Sequence, residues 1–132
     1  MAVPIPLDSH AQCQKLSSVL NIVGDKWTVL VVRALMDQPR RFNEIKRTIG
    51  GISQQMLTRT LRALERDGLV TRTVHPTVPP QVEYALTRLG HSLSIPLRQL
   101  GSWAGEHLDD VERNRVSYDA RKSDGREVAP AG

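Results

Sequence analysis

Five side chains within a nine-residue stretch, Gln54, Gln55, Thr58, Arg59 and Arg62, carry two carboxamides, a hydroxyl beside a methyl, and two guanidiniums. These groups suit the edges of base pairs. A carboxamide can bond adenine at two points, a guanidinium can do the same with guanine, and a Thr methyl packs on the methyl of thymine. The first acid after them is Glu65, and a surface that meets phosphate has to keep acids away. We take Gln54, Gln55, Thr58 and Arg59 as candidate base readers. Candidate phosphate contacts are Lys26, Arg40, Arg41, Lys46, Arg62 and Arg72, with the Ser53 hydroxyl at a helix start. His75 and Thr77 are candidates for a similar contact further along the chain. The plain alternative is a solvated polar face on an ordinary surface helix.

Charge distribution favours the first reading. Between Arg33 and Arg72 there are nine Lys/Arg against four acids, a larger surplus than the +4 of the whole chain. The excess therefore lies in the middle of the sequence, where a folded surface would carry it, and not in a basic tail. Double-stranded DNA is the expected partner.

Other chemistry finds little support. The sequence has no Gly-rich phosphate loop, no nucleophile paired with a base, and no set of metal ligands, so an enzyme, a cofactor and a metal site are not expected. His10 and Cys13 make half a metal site with no second pair to complete it. Cys13 is the only cysteine. A position near a helix start with a cationic neighbour would favour its thiolate, the reactive form. Oxidation would then give an adduct, a mixed disulfide, or a bond between two copies whose Cα atoms approach within roughly 7 Å. Alternatively, Cys13 is a small apolar side chain in line with Leu16 and Leu20.

A series of short elements must position these groups. A helical pattern runs from about His10 to Val23, and Gly24-Asp25 stops it and caps the next. That second helix, Lys26 to Asp37, is expected to bury Trp27, Leu30, Val31, Ala34 and Leu35. Gln38-Pro39 breaks it. A short third helix from about Asn43 turns Phe42, Ile45 and Ile49 inward. Gly50-Gly51 is a turn, Ser53 an N-cap, and Leu57, Leu61 and Leu64 the buried stripe of a fourth helix that ends before Gly68. With those leucines inward, the five polar side chains point the other way. The period then changes to that of strands at Leu69–Val74 and Val82–Leu86, joined by a proline-rich tip over residues 75–80. A long final helix carries Leu86, Leu89, Leu93, Leu97, Leu100, Trp103, Leu108 and Val111, with a kink expected at Pro96. We expect residues 1–9 to be flexible, residues 10–112 to form one domain, and residues 113–132 to be disordered. The class is mainly α with a β-hairpin wing: a helix-turn-helix that would place its fourth helix in a major groove.

The order and spacing of four motifs carry a resemblance. "Gly24-Asp25-Lys26-Trp27", "Arg41-Phe42-Asn43-Glu44-Ile45", the run Gly51 to Thr58 and the run Val78 to Thr87 resemble the HxlR-type winged helix-turn-helix regulators of bacteria, over about Cys13 to Trp103. The resemblance implies a homodimeric transcriptional regulator paired through its terminal helices and bound to inverted-repeat operators. It also implies an effector, because some members respond to oxidants, quinones or aldehydes through a cysteine near this place. The final apolar stripe is longer than one small domain needs, which agrees with a dimer. Leu16, Leu20, Leu93, Leu97, Leu100, Trp103 and Leu108 are the candidate interface. Control by a small apolar ligand near Trp27, Trp103 and the dimer helices is the alternative to a thiol switch, and a winged helix that binds protein instead of DNA is a third reading. No secretory signal pattern opens the chain and no apolar run could span a bilayer, so the cytoplasm is expected.

Overall fold

The computed structural model describes residues 10–125, in the order α1 (His10–Val23), α2 (Lys26–Ala34), β1 (Arg40–Arg41), α3 (Phe42–Ile49), α4 (Gln54–Arg66), β2 (Val70–His75), β3 (Gln81–Leu86) and α5 (Arg88–Ser123). Expectations for residues 1–9 and 126–132 lie outside the described residues. The chain divides into two compact units, one up to Ser94 and one from Ile95 onwards.

In the first unit the core forms where α2, α3, α4 and the sheet supply their apolar faces. Val31, Val32, Leu35, Ile45, Leu57, Leu61, Leu64 and Val70 are its largest fully buried side chains. Burying each contributes about 1.5–3 kcal/mol. The second helix differs from expectation. It ends at Ala34, it buries Thr28 and Val32, and it leaves Trp27 and Leu30 only half-buried. It is contacted by α1, α3 and α4, so its buried surface is broader than a single stripe.

Local chemistry fixes the helix ends. The Asp25 carboxylate accepts from the Trp27 N–H at 2.9 Å, and the Glu44 carboxylate accepts from the Arg41 N–H at 3.0 Å. Gly50 and Gly51 both have positive φ, 69° and 72°, which a side chain would resist. After α4 the N–H of Leu69 bonds the Leu64 carbonyl and that of Gly68 bonds Glu65, with Gly68 at φ 76°. This 6→1 and 5→2 pattern closes the helix and turns the chain into β2.

The sheet is antiparallel with order β1-β3-β2. Its first strand was not expected. Arg40 pairs with Tyr84 and Arg41 with Glu83, so two residues before α3 are tied to the hairpin. Across β2 and β3, Val70 pairs with Leu86 and Arg72 with Tyr84. Paired residues share a face, and the buried Val70 and Leu86 mark it as the inner one.

Thr87 caps α5. Its hydroxyl accepts from the Gly90 N–H and donates to the Gly68 carbonyl, while its own N–H bonds the Leu69 carbonyl. In the second unit α5 continues as helix through Pro96 to Ser123. The disordered tail expected beyond residue 112 is therefore corrected for residues 113–123. That stretch lacks apolar periodicity, but it carries Arg113, Arg115, Ala120, Arg121 and Lys122 and holds no Gly or Pro before Gly125. Most of these residues cost a helix little, even when no face is buried.

Candidate nucleic-acid interface

Three elements build the surface around α4. Leu57, Leu61 and Leu64 are at most 2% exposed and fix the roll of the helix. Ser53 starts it by accepting the Met56 N–H at 3.1 Å, which satisfies one of the four orphan donors of the first turn. The other face then presents Gln54, Gln55, Arg59 and Arg62 as exposed side chains, with Thr58 half-buried beside them. These five line one shallow depression. The Thr58 hydroxyl donates to the Gln54 carbonyl, so its methyl and its acceptor lone pairs remain for a visitor.

Candidate cations around this face are not equally available. Arg41 is exposed and Lys46 half-buried on α3. Arg40 spends its Nε–H on the Ala34 carbonyl at 2.7 Å, closing the end of α2. Lys26 lies with its ammonium 4.5 Å from the centre of the Trp27 ring. Arg72 is engaged with Glu65, Nε to Oε2 at 3.7 Å. His75 stands 3.7 Å from the Glu83 carboxylate, and the Thr77 hydroxyl donates to the Pro79 carbonyl across the wing tip. Arg47 and Arg66 are exposed cations in the last turns of α3 and α4. Neither was among the candidates from sequence, although helix spacing from Arg62 reaches Arg66 and Arg47 adjoins Lys46.

Burial raises the Tyr84 phenol above its usual value, aided by Glu65 and opposed by Arg72 and Arg62. Three charged side chains thus act on one ring at the root of the wing.

The remaining candidates lie on α1 and α5. Cys13 is exposed on α1, as are Leu16 and Leu20 at 43% and 54%. In α5, Leu93 and Leu97 are half-buried, whereas Leu100, Trp103 and Leu108 are exposed. Trp103 and His107 stack with ring centres 5.0 Å apart. Trp27 belongs to the first unit and Trp103 to the second. Among the described residues no three His, Cys, Asp or Glu side chains converge as a metal site, and no helix is long and apolar enough to cross a membrane.

A three-helix core, a glycine turn, an exposed polar helix and an antiparallel hairpin define a winged helix-turn-helix. Residues 22–112 match the HxlR-like helix-turn-helix family, and the chain belongs to that family of transcriptional regulators, which are not enzymes. It is 43% identical over 93 residues to the HTH-type transcriptional regulator YtfH of Escherichia coli, covering 70% of this chain and 74% of YtfH. The structure of the redox regulator HypR in its reduced form superposes with TM-score 0.72 at 38% identity, covering 75% of this chain and 98% of HypR. Diamide-treated YodB from B. subtilis superposes with TM-score 0.64 at 39% identity, covering 74% and 97%.

Proposed function

We propose that this chain is a homodimeric repressor that reads an inverted-repeat operator with α4. The observation that carries the reading is the roll of α4: three buried leucines leave Gln54, Gln55, Thr58 and Arg59 on a surface a duplex can reach. In a major groove these are base-reading groups. Arg41, Lys46 and Arg62, with Arg47 and Arg66, supply phosphate contacts beside them. A second copy covers the exposed apolar side chains of α1 and α5, since Leu16, Leu20, Leu100, Trp103 and Leu108 form a set that a monomer would leave in water. Two-fold symmetry then sets the two α4 helices about 34 Å apart, one turn of DNA.

Control through Cys13 is the effector reading. It rests on the exposure of that thiol on α1 and on likeness to HypR and YodB, one called a redox regulator and the other solved after diamide treatment.

A footprint on DNA upstream of the chain's own gene, repeated with diamide, tests both parts. We expect two protected half-sites one turn apart, and their loss under diamide in the native protein but not in Cys13→Ser. Protection without symmetry removes the dimer. Equal release from both proteins removes the thiol switch.

A further inference from the structure

On the wing, Arg72 and His75 each face an acid: Glu65 and Glu83. Glu65 is the only acid in α4, and it stands between Arg62 and Arg66 on a helix otherwise free of negative charge. Its pair with Arg72 has both side chains nearly half exposed at 3.7 Å, a geometry that contributes little to folding. A carboxylate beside a phosphate-binding surface is costly for binding. The position is therefore unexplained by stability and unfavourable for raw affinity.

We propose that Glu65 is a positioning residue that limits sequence-independent affinity: it engages the Arg72 guanidinium at the wing root and so withholds it from the phosphate backbone. This rests on the DNA-binding reading above. Register supports it, because Arg72 and Arg40 stand on either side of Tyr84 on the inner face of the sheet. Glu65, Arg72 and Arg62 all act on that half-buried phenol, so the three charges gather at the wing root. Arg62, on the exposed face of α4 with the base readers, keeps its access to DNA. Arg72 does not.

The consequence concerns sequence-independent affinity, which rises with every phosphate neutralised. Withholding one arginine per subunit lowers binding to all DNA, while the groups that read bases are untouched. Operator and random-sequence affinity fall together, so the pair sets how tightly the protein holds any duplex. A free Arg72 would add about 0.9 to the steepness of log affinity against log salt, which is roughly 3.5-fold between 50 and 200 mM salt for each subunit engaged.

The test uses the full chain and a mixed-sequence duplex, with affinity followed by fluorescence anisotropy across that salt range. Glu65→Gln keeps shape and removes charge. We expect it to tighten binding and to steepen the slope by about 0.9 per subunit. Arg72→Ala alone is expected to leave the slope unchanged, and Glu65→Gln combined with Arg72→Ala to return it to the native value. A shallower slope in Arg72→Ala would overturn the proposal, since the arginine would already be on a phosphate. So would an unchanged slope in Glu65→Gln, or a steeper slope that survives in the double variant, which would mark simple repulsion by the carboxylate. A native protein with no salt dependence on any duplex would instead sink the DNA-binding reading itself.

Discussion

Gly90→Ala reverses an ordinary rule of helix energetics. An exposed Gly→Ala change inside a helix stabilises by about 1 kcal/mol. Gly90 is buried in the first turn of α5, and a Cβ there would meet the Leu69 carbonyl oxygen at 2.2 Å, the Leu69 carbonyl carbon at 3.2 Å and the Leu86 Cδ2 at 3.1 Å. Two of these atoms are backbone, and that oxygen already accepts the Thr87 N–H at 3.0 Å. Relief requires the start of α5 to move off the turn that leads into β2. Overpacking of this kind costs about 1–3 kcal/mol, and weakening the Thr87 bond adds about 1 kcal/mol. Set against the helix gain, we expect Gly90→Ala to destabilise by about 1–3 kcal/mol. Urea unfolding followed by circular dichroism, at one fixed protein concentration because a dimer's stability depends on it, would measure this. A variant more stable than the native protein would show that α5 does not seat on Leu69 as described.

Arg59→Ala should cost about 1–3 kcal/mol on the operator and relax base preference at one position, whereas Lys46→Ala should weaken all duplexes alike; matched titrations on operator and random DNA would separate them. Leu61→Ala should destabilise by about 2–5 kcal/mol in a thermal or urea melt, because the site is 2% exposed and closely packed. The raised Tyr84 value gives a pH dependence. The unfolded phenol ionises near 10.0 and the folded one higher, so the folded state holds its proton longer. Its stability contribution is thus complete below 10 and is lost as pH rises through the folded value. Tyr84→Phe should flatten the fall in stability above pH 10, and an unchanged alkaline limb would assign that fall elsewhere.

Much of the α4 surface was legible because one pattern answers two questions. The spacing of Leu57, Leu61 and Leu64 gives both the helix and its roll, and the polar face follows as the remainder. Glycines and caps at Asp25, Gly50, Gly51, Ser53 and Gly68 were readable for a similar reason, since local backbone chemistry fixes them without help from distant parts. What escaped was set by tertiary partners. A two-residue strand of arginines has no alternation to detect, and β1 exists only because β3 offers it hydrogen bonds. Nothing near Arg72 in sequence announces Glu65, because the Schellman turn brings the end of α4 and the wing root together. The helical character of residues 113–123 was hidden because the reading asked for an apolar stripe, which an exposed helix does not need.

The short pairing of Arg40 and Arg41 with β3 divides the chain into places that tolerate a change of length and places that do not. Extra residues over 76–80 would merely enlarge the wing's free end. One residue inserted between Arg41 and Ile45 would have to unpick the seam to Tyr84 and Glu83 or rotate the rest of α3 by about 100° about its axis, turning Ile45 out of the core. Loop grafting intended to alter operator choice therefore belongs at the wing's far end or in side-chain exchanges on α4.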